Sequence, residues 1–521
     1  MTVYAVLHML SPLFAAANLL ALTLLAWECR REIRAVLPSG TKPLWFAAAL
    51  MAAQLAVYIF LAGKKHLVYI DEFWYMEAAK NIFLKGWAPD FDKSAGWPAI
   101  ISLSYAIGGI DNFSAIWASI ILGMAAPLAA GAAAYLALGS AASAALAALL
   151  MAALPHAIIW SASAETGAPS LFFVCAAAFF SLVYYRKGGV KPLWLALCGW
   201  SMAAQIRPEN MLFLTLFAAG IWLEKPPRLS LPKFLAPWLC ALAANLPNFL
   251  IYAKFQNSED WITRESGGAI AGSNFSAANL LHNAARWGGA LFDGRLHPPA
   301  LTMAFLAGAV WLALKRPKTA LWLALWLLLP QLFYFSAWFD TYGSTTALFP
   351  KTKLFLQLYP PYIIAAACGF MLPFAVRKYR WLSVFAAAWL VAGMGPYYTR
   401  FSPRNDAQEL EAKIISDFKN RVPANCAIIA NAPVIINSVN SYTTVYTGAF
   451  LESAELRRNV LQSPCALYFR DITRNLTGQP FARMDARMRE SFELRPEFEF
   501  RHGGAEMSLC RIFPRAPAGR K

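Results

Sequence analysis

Charge is scarce in this chain: of 521 residues, only 14% are Asp, Glu, Lys or Arg, against about 25% in an ordinary soluble domain. That deficit excludes a soluble globular body. Eight cysteines are scattered without a Cys-x-x-Cys pair or a Cys/His cluster, so zinc-ligand spacing is missing. The chain also lacks a glycine-rich nucleotide-binding motif and any solenoid-type repeat. No basic stretch precedes the first apolar run, roughly residues 5–27, and basic residues follow it. A retained span is expected there rather than a cleaved leader.

What is present in abundance is hydrophobic sequence, 58% of the chain. Apolar runs near the ~20 residues that cross a hydrocarbon core recur along most of it. The expected spans are roughly 5–27, 43–62, 113–137, 141–160, 168–185, 192–206, 211–223, 234–253, 299–314, 319–338, 354–376 and 381–399. The fold class is therefore an all-α polytopic membrane protein of about 12 transmembrane helices, with surface helices in the first outside loop. A small C-terminal α/β extracytoplasmic domain completes it. The loops alternate in character. "CRREIRAVLPSGTK", "RKGGVK", "EKPPRLSLPK", "KRPK" and "RKYR" fall on one side and hold sixteen Lys and Arg. The positive-inside bias assigns that side to the cytoplasm. Both termini and the tail then lie outside the cytoplasmic membrane, and much of the net charge of +17 is orientation signal rather than a nucleic-acid footprint.

Composition shifts at about residue 400. Residues 1–400 read as the membrane domain and 401–521 as the tail domain. The tail begins with a charged helical stretch, "DAQELEAKIISDFKNRV", and continues with β-rich runs: "CAIIA", "PVIINSV", "TTVYTG", "CALYFRDI" and "FELRPEFEFR". Its 17 basic and 13 acidic residues suit either contact with anionic head groups or an ordinary solvated surface. Cys175, Cys198, Cys240 and Cys368 fall in spans. Cys426, Cys465 and Cys510 fall in the tail, where one disulfide would leave the third thiol free.

The first outside loop, 63–112, opens on "YIDEFWYMEAAKNIFLKGW". Residues 71–85 fit a helix, and 98–109 form an apolar stretch too short to span; both suit helices along the membrane surface. At about 100° per residue, Trp74, Tyr75, Ala78, Ala79, Ile82 and Phe83 make one apolar arc. Asp71 and Glu72 fall within that arc at its start, while Glu77 and Lys80 fall opposite. The carboxylates are thus expected to face protein or bilayer. Asp71 is either an N-cap or a general base tuned by partial desolvation; Trp74 rules out a capping box. In "AAQIRPENMLF" two short apolar legs flank Arg207 and Glu209, so the chain must turn back there, below the outer surface. Ions at such depth line a cavity or pair with each other, and both readings stay open. Asp90, Asp92, Glu165 and Asp340 taken singly are ordinary loop acids. Tyr342 lies near Asp340. Lys351 and Lys353 are an interfacial anchor or a phosphate clamp. Arg295 and His297 in "GRLHPPA" are weaker candidates.

This pattern resembles the GT-C glycosyltransferases of the protein-mannosyltransferase and aminoarabinose-transferase type, multispan enzymes that take sugar from a polyprenyl-phosphate donor on the outer face. Asp71-Glu72 at the head of the first outside loop, "GWPAIISLSYAIGG", "RPEN", and the late "KLFLQLYPPYIIAAACG" carry the resemblance. Two positions depart from the family pattern. "AGWP" stands where Lys-Pro-Pro is frequent, although Lys93 is near, and Lys353 stands where Arg is usual; lysine keeps the charge without bidentate phosphate binding. The resemblance implies inverting transfer to a lipid, glycan or protein acceptor, with Asp71 as base and Glu72 orienting a substrate or pairing with a cation. Arg207, Lys351 and Lys353 would hold the donor phosphate. Glu209, Tyr75, Asp92 and Asp340 complete the candidate substrate contacts. No nucleotide is required, and no metal-ligand spacing supports the divalent ion that some relatives use. Two other classes fit the spans: a flippase for lipid-linked sugars, and a polyprenyl-diphosphate-dependent glycan ligase or polymerase.

Overall fold

The computed structural model describes residues 3–62, 70–89, 91, 93–256, 296–336, 356–373, 388–395, 414, 417–418, 420–431, 433–471, 479–502 and 505–514. A helical body is followed by a C-terminal unit built on one sheet. The helices of the body are α1 (Val3–Glu28), α2 (Arg30–Val36), α3 (Lys42–Ala62), α4 (Ile70–Lys85), α5 (Gly96–Gly108), α6 (Asn112–Leu138), α7 (Ala141–Ala152), α8 (Pro155–Ser161), α9 (Gly167–Lys187), α10 (Val190–Ile206), α11 (Phe213–Glu224), α12 (Leu231–Gln256), α13 (Pro299–Lys315), α14 (Pro317–Ser336) and α15 (Tyr359–Met371).

Among the described residues five helices are long and apolar enough to cross a membrane. A sixth is obtained if α7 and α8, bent by 59° at a short break, count as one span. Pro155 opens α8, where a missing N–H costs nothing. Three shorter apolar helices follow from residue 299 onward, and much of the last expected span lies outside the described residues. The expected short legs around Arg207 are α10 and α11, joined by a 3-10 turn over Pro208–Leu212. Pro208 forces Arg207 into extended backbone and so ends α10.

Alanine and glycine set the packing. α6 lies against α7 and α9, and α9 against α10. α13 and α15 cross so closely that a Cβ on Gly308 would strike the carbonyl of Ala365, and one on Gly369 that of Ala304. The two small-x-x-x-small pairs, Ala304/Gly308 and Ala365/Gly369, permit this approach where lipid offers no hydrophobic drive to helix association. At the bundle's other contacts buried amides bond across helices: Asn18 to Gln205 at 3.0 Å, and Asn245 to Ser201 at 2.9 Å.

The C-terminal sheet has strands β1 (Cys426–Ala430), β2 (Thr443–Tyr446), β3 (Cys465–Asp471), β4 (Phe492–His502) and β5 (Ala505–Pro514) in the order β2-β1-β3-β5-β4. β1 runs parallel to β2 and β3, and β5 antiparallel to β3 and β4. Separate apolar clusters cover its two faces. Cys426 and Cys465, opposite each other on β1 and β3, form the disulfide, and Cys510 is the buried free thiol. One expectation for the tail is corrected. "PVIINSV" begins a short helix, α16 (Pro433–Asn437), not a strand. β5 and the helices α17 (Thr447–Glu452), α18 (Ala454–Leu461) and α19 (Gln479–Ser491) complete the unit and were not foreseen.

Candidate functional site

Asp71 stands in the first turn of α4, where a carboxylate is favoured by the helix dipole. Its partner is Lys93, whose Nζ lies 2.7 Å from Oδ1. The same ammonium sits 4.6 Å from the Trp74 ring centroid and 5.3 Å from that of Tyr75. Two aromatic faces and one carboxylate thus hold a cation that is only 20% exposed, with Asp71 at 28%. Cation–π contact strengthens as water is excluded. Phe91 meets Tyr75 edge-on at 5.9 Å. Lys93 was visible in the sequence only as a neighbour of the Gly-Trp-Pro stretch; its pairing with a residue 22 positions away was not.

Glu72 does something different. Its side chain is buried, and Oε2 accepts the backbone N–H of Ala164 at 2.9 Å. The carbonyl of that same residue accepts the indole N–H of Trp97 at 2.6 Å. Farther along the turn, Ser170 Oγ accepts from Asn210 at 2.8 Å and from Gln357 at 2.7 Å. "YIDE", "GWP", "RPEN" and "LFLQLYPPY" therefore all fasten to the segment 164–170. Each bond buries a polar group with a partner. Glu165, expected as an ordinary loop acid, is fully buried in this junction, and its carboxylate accepts the Thr166 N–H at 3.2 Å. Ala-Glu-Thr-Gly carries no charge run or periodicity that marks it as a hub.

Arg207 and Glu209 pair with each other. The guanidinium donates from Nε at 2.7 Å, its Nη2 lies 2.6 Å away, and both reach Glu209 Oε1. The two side chains are 9% and 11% exposed, so the pair braces a buried turn, as depth requires. Tyr252 near the end of α12 lies within electrostatic reach of Arg207, Glu209 and Tyr75. His297, a weaker candidate in the sequence, is fully buried. Nδ1 lies 3.3 Å from the Tyr359 hydroxyl, and Nε2 lies 3.1 Å from Thr302 Oγ1 and 3.3 Å from the Tyr362 hydroxyl. "GRLHPPA" and "YPPY" thus meet, although sixty residues separate them.

Asp90, Asp92, Arg295, Asp340, Tyr342, Lys351 and Lys353 lie outside the described residues. Among the described residues, no group of three or more His, Cys, Asp or Glu is placed to hold a metal ion.

Residues 92–251 match the family model of dolichyl-phosphate-mannose-protein mannosyltransferase. The fold is similar to that of ArnT from Cupriavidus metallidurans in the apo state, at 14% identity and TM-score 0.56, over 89% of this chain and 97% of that one. The same protein bound to undecaprenyl phosphate aligns at 13% identity and TM-score 0.56, over 91% and 98%. The archaeal oligosaccharyltransferase AglB from Archaeoglobus fulgidus, in complex with an inhibitory peptide and a dolichol-phosphate, aligns at 12% identity and TM-score 0.50, over 92% and 77%. No curated protein sequence matches the chain.

Proposed function

We propose that this chain, a membrane glycosyltransferase of the GT-C superfamily, moves a sugar from a polyprenyl-phosphate donor to an acceptor on the outer face of the cytoplasmic membrane, with inversion and with Asp71 as general base. The observation that carries this reading is the Asp71–Lys93 pair against Trp74 and Tyr75. A carboxylate and an ammonium stand side by side, and the residue next to Asp71, Glu72, bonds to the segment 164–170 on which three other sequence segments converge. Inverting transfer from a sugar phosphate needs that combination, a base for the incoming nucleophile and a cation for the outgoing phosphate. The bound carriers of the similar folds, undecaprenyl phosphate and dolichol-phosphate, support a lipid monophosphate as leaving group.

The chemistry runs as follows. The acceptor hydroxyl or amine attacks the anomeric carbon from the face opposite the phosphate. As that bond forms, the bond from the anomeric carbon to the phosphate oxygen breaks, and the oxygen keeps the electron pair. Asp71 takes the acceptor proton. Lys93, drawn from Asp71 toward the donor, offsets the charge gathering on the phosphate and leaves the carboxylate open to the nucleophile. Lys351 and Lys353 are the further cations for the donor. Asp92, Asp340 and Tyr75 are the contacts for sugar or acceptor. Glu72 builds the site by holding Ala164, and Arg207–Glu209 fixes the turn behind it. Orientation with the tail outside draws support from the basic loops and from the Cys426–Cys465 disulfide, which suits an oxidising compartment.

The test is transfer by wild type in membranes supplied with labelled polyprenyl-phosphate sugars and native acceptor lipids, analysed for the anomeric configuration of the product. Inverted product from a monophosphate donor supports the proposal. Transfer only from a diphosphate donor makes the chain a ligase or polymerase. Movement of labelled donor across the bilayer without transfer makes it a flippase.

A further inference from the structure

The face of α4 opposite the apolar arc is expected to meet water, yet its lysine does not. Lys80 is 5% exposed, and its Nζ donates to the backbone carbonyls of Asn437 and Asn440. Both belong to the C-terminal unit, at the end of α16 and in the turn that follows. Burying an ammonium is costly unless hydrogen bonds replace its water, and unsatisfied carbonyls at a helix end are a ready acceptor set. The turn that presents them is itself fixed. Asn437 Nδ2 donates to Thr444 Oγ1 at 2.8 Å and to the Tyr442 carbonyl at 3.2 Å, and Asn440 Nδ2 donates to the Ile436 carbonyl at 3.1 Å.

Apolar contact runs beside this clasp. Ile435 and Val439 belong to the buried core that also includes Phe73, Met76 and Ala79 of α4, rather than to either cluster of their own sheet. One short element of the C-terminal unit is thus incorporated into the packing of the helix that carries Asp71. Glu77, one turn before Lys80, is desolvated at the same face.

We propose that Lys80 is a positioning residue that locks the C-terminal unit onto α4, so that sugar transfer depends on the docked unit. The proposal rests on the glycosyltransferase reading for its kinetic consequence and on the Lys80 clasp alone for its structural one. Lys80 lies about two and a half helical turns from Asp71 on the same rigid rod, and a helix pinned at one face keeps its first turn in register with Lys93 and Ala164. Misplacement of about 1 Å is enough to cost about a hundredfold in rate.

The experiment compares full-length wild type, Lys80→Met, Lys80→Arg, Ile435→Ala and Asp71→Asn in nanodiscs. It measures transfer kinetics and hydrogen exchange over 70–85 and 433–446. Lys80→Met keeps the stem and loses the donors; it is expected to raise exchange in both segments and lower kcat by about tenfold or more, with donor KM within about twofold. Lys80→Arg restores part of both, and Ile435→Ala, which acts from the other side of the contact, moves both in the same direction even if Lys80→Met does not accumulate. Unchanged exchange in Lys80→Met and Ile435→Ala overturns the clasp. Raised exchange with unchanged kcat overturns its role in transfer. Full activity of Asp71→Asn defeats the general-base assignment but leaves the Lys80 comparison intact. A wild type that transfers nothing defeats the function and the kinetic role together, while exchange still decides the docking.

Discussion

Gly96 opens α5 against the last turn of α10, directly before Arg207. A methyl group there would sit 2.5 Å from the carbonyl carbon of Gln205 and 3.0 Å from its Cβ, with the carbonyl oxygen nearer still. Carbon atoms pack at about 3.5–4.0 Å, so Gly96→Ala forces α5 and α10 apart by about 1 Å. The obstacle is backbone, which does not swing aside as a side chain does. Overpacking of this kind costs about 1–3 kcal/mol, and the same displacement carries Lys93 and Trp97 away from Asp71 and Ala164. The expected result is a destabilised but folded protein whose kcat falls by about tenfold to a hundredfold, measured in nanodiscs beside a thermal-unfolding curve. Wild-type kcat with wild-type thermal stability would refute the close approach of these two helices as the device that sets the site.

Other outcomes separate structural from chemical roles. Glu72→Ala strips the acceptor from the buried Ala164 N–H and should cost about 1–3 kcal/mol, with loss of activity that tracks loss of folded protein in detergent. Arg207→Met removes the guanidinium from the buried Glu209 carboxylate, a change that costs about 3–5 kcal/mol. The double variant Arg207→Met/Glu209→Gln should recover much of it in a thermal-shift assay, since the two effects belong to one pair. Glu77 has its carboxyl pushed above the ordinary carboxylate range by burial, with Lys80 and Lys85 pulling the other way. The folded state then holds this proton more tightly than the unfolded one. Its stabilising contribution is complete below the ordinary carboxylate pKa and is lost as pH rises through the raised value. Glu77→Gln should flatten that part of the stability–pH curve and stabilise the protein at neutral pH.

The helical body was legible because its signal is long and redundant. Apolar runs of twenty residues, the Pro208 break and the short legs beside Arg207 each follow from one local rule, and α4 follows from a single arc over 71–85. Asp71 at the head of that arc was visible for the same reason. What was hidden depends on partners far along the chain. Lys93 was merely near until its ammonium reached Asp71, and Glu165 carried no mark of burial. His297 looked like a loop residue because Tyr359 and Tyr362 are sixty positions away. In the tail, "PVIINSV" has the β-branched residues of a strand, yet Pro433 opens a helical turn and docking against α4 holds it there. β5 was missed because both faces of the sheet are covered, which erases the alternation that marks a half-buried strand.

The most direct measurement is single-turnover sugar transfer by Asp71→Asn against wild type, with saturating polyprenyl-phosphate donor in nanodiscs. The substitution keeps the volume of the side chain and its place beside Lys93 while removing the base. A general base at Asp71 predicts a fall of roughly a hundredfold or more at unchanged expression and donor affinity. Turnover equal to wild type would contradict it and reduce the Asp71–Lys93 pair to a brace for the first turn of α4.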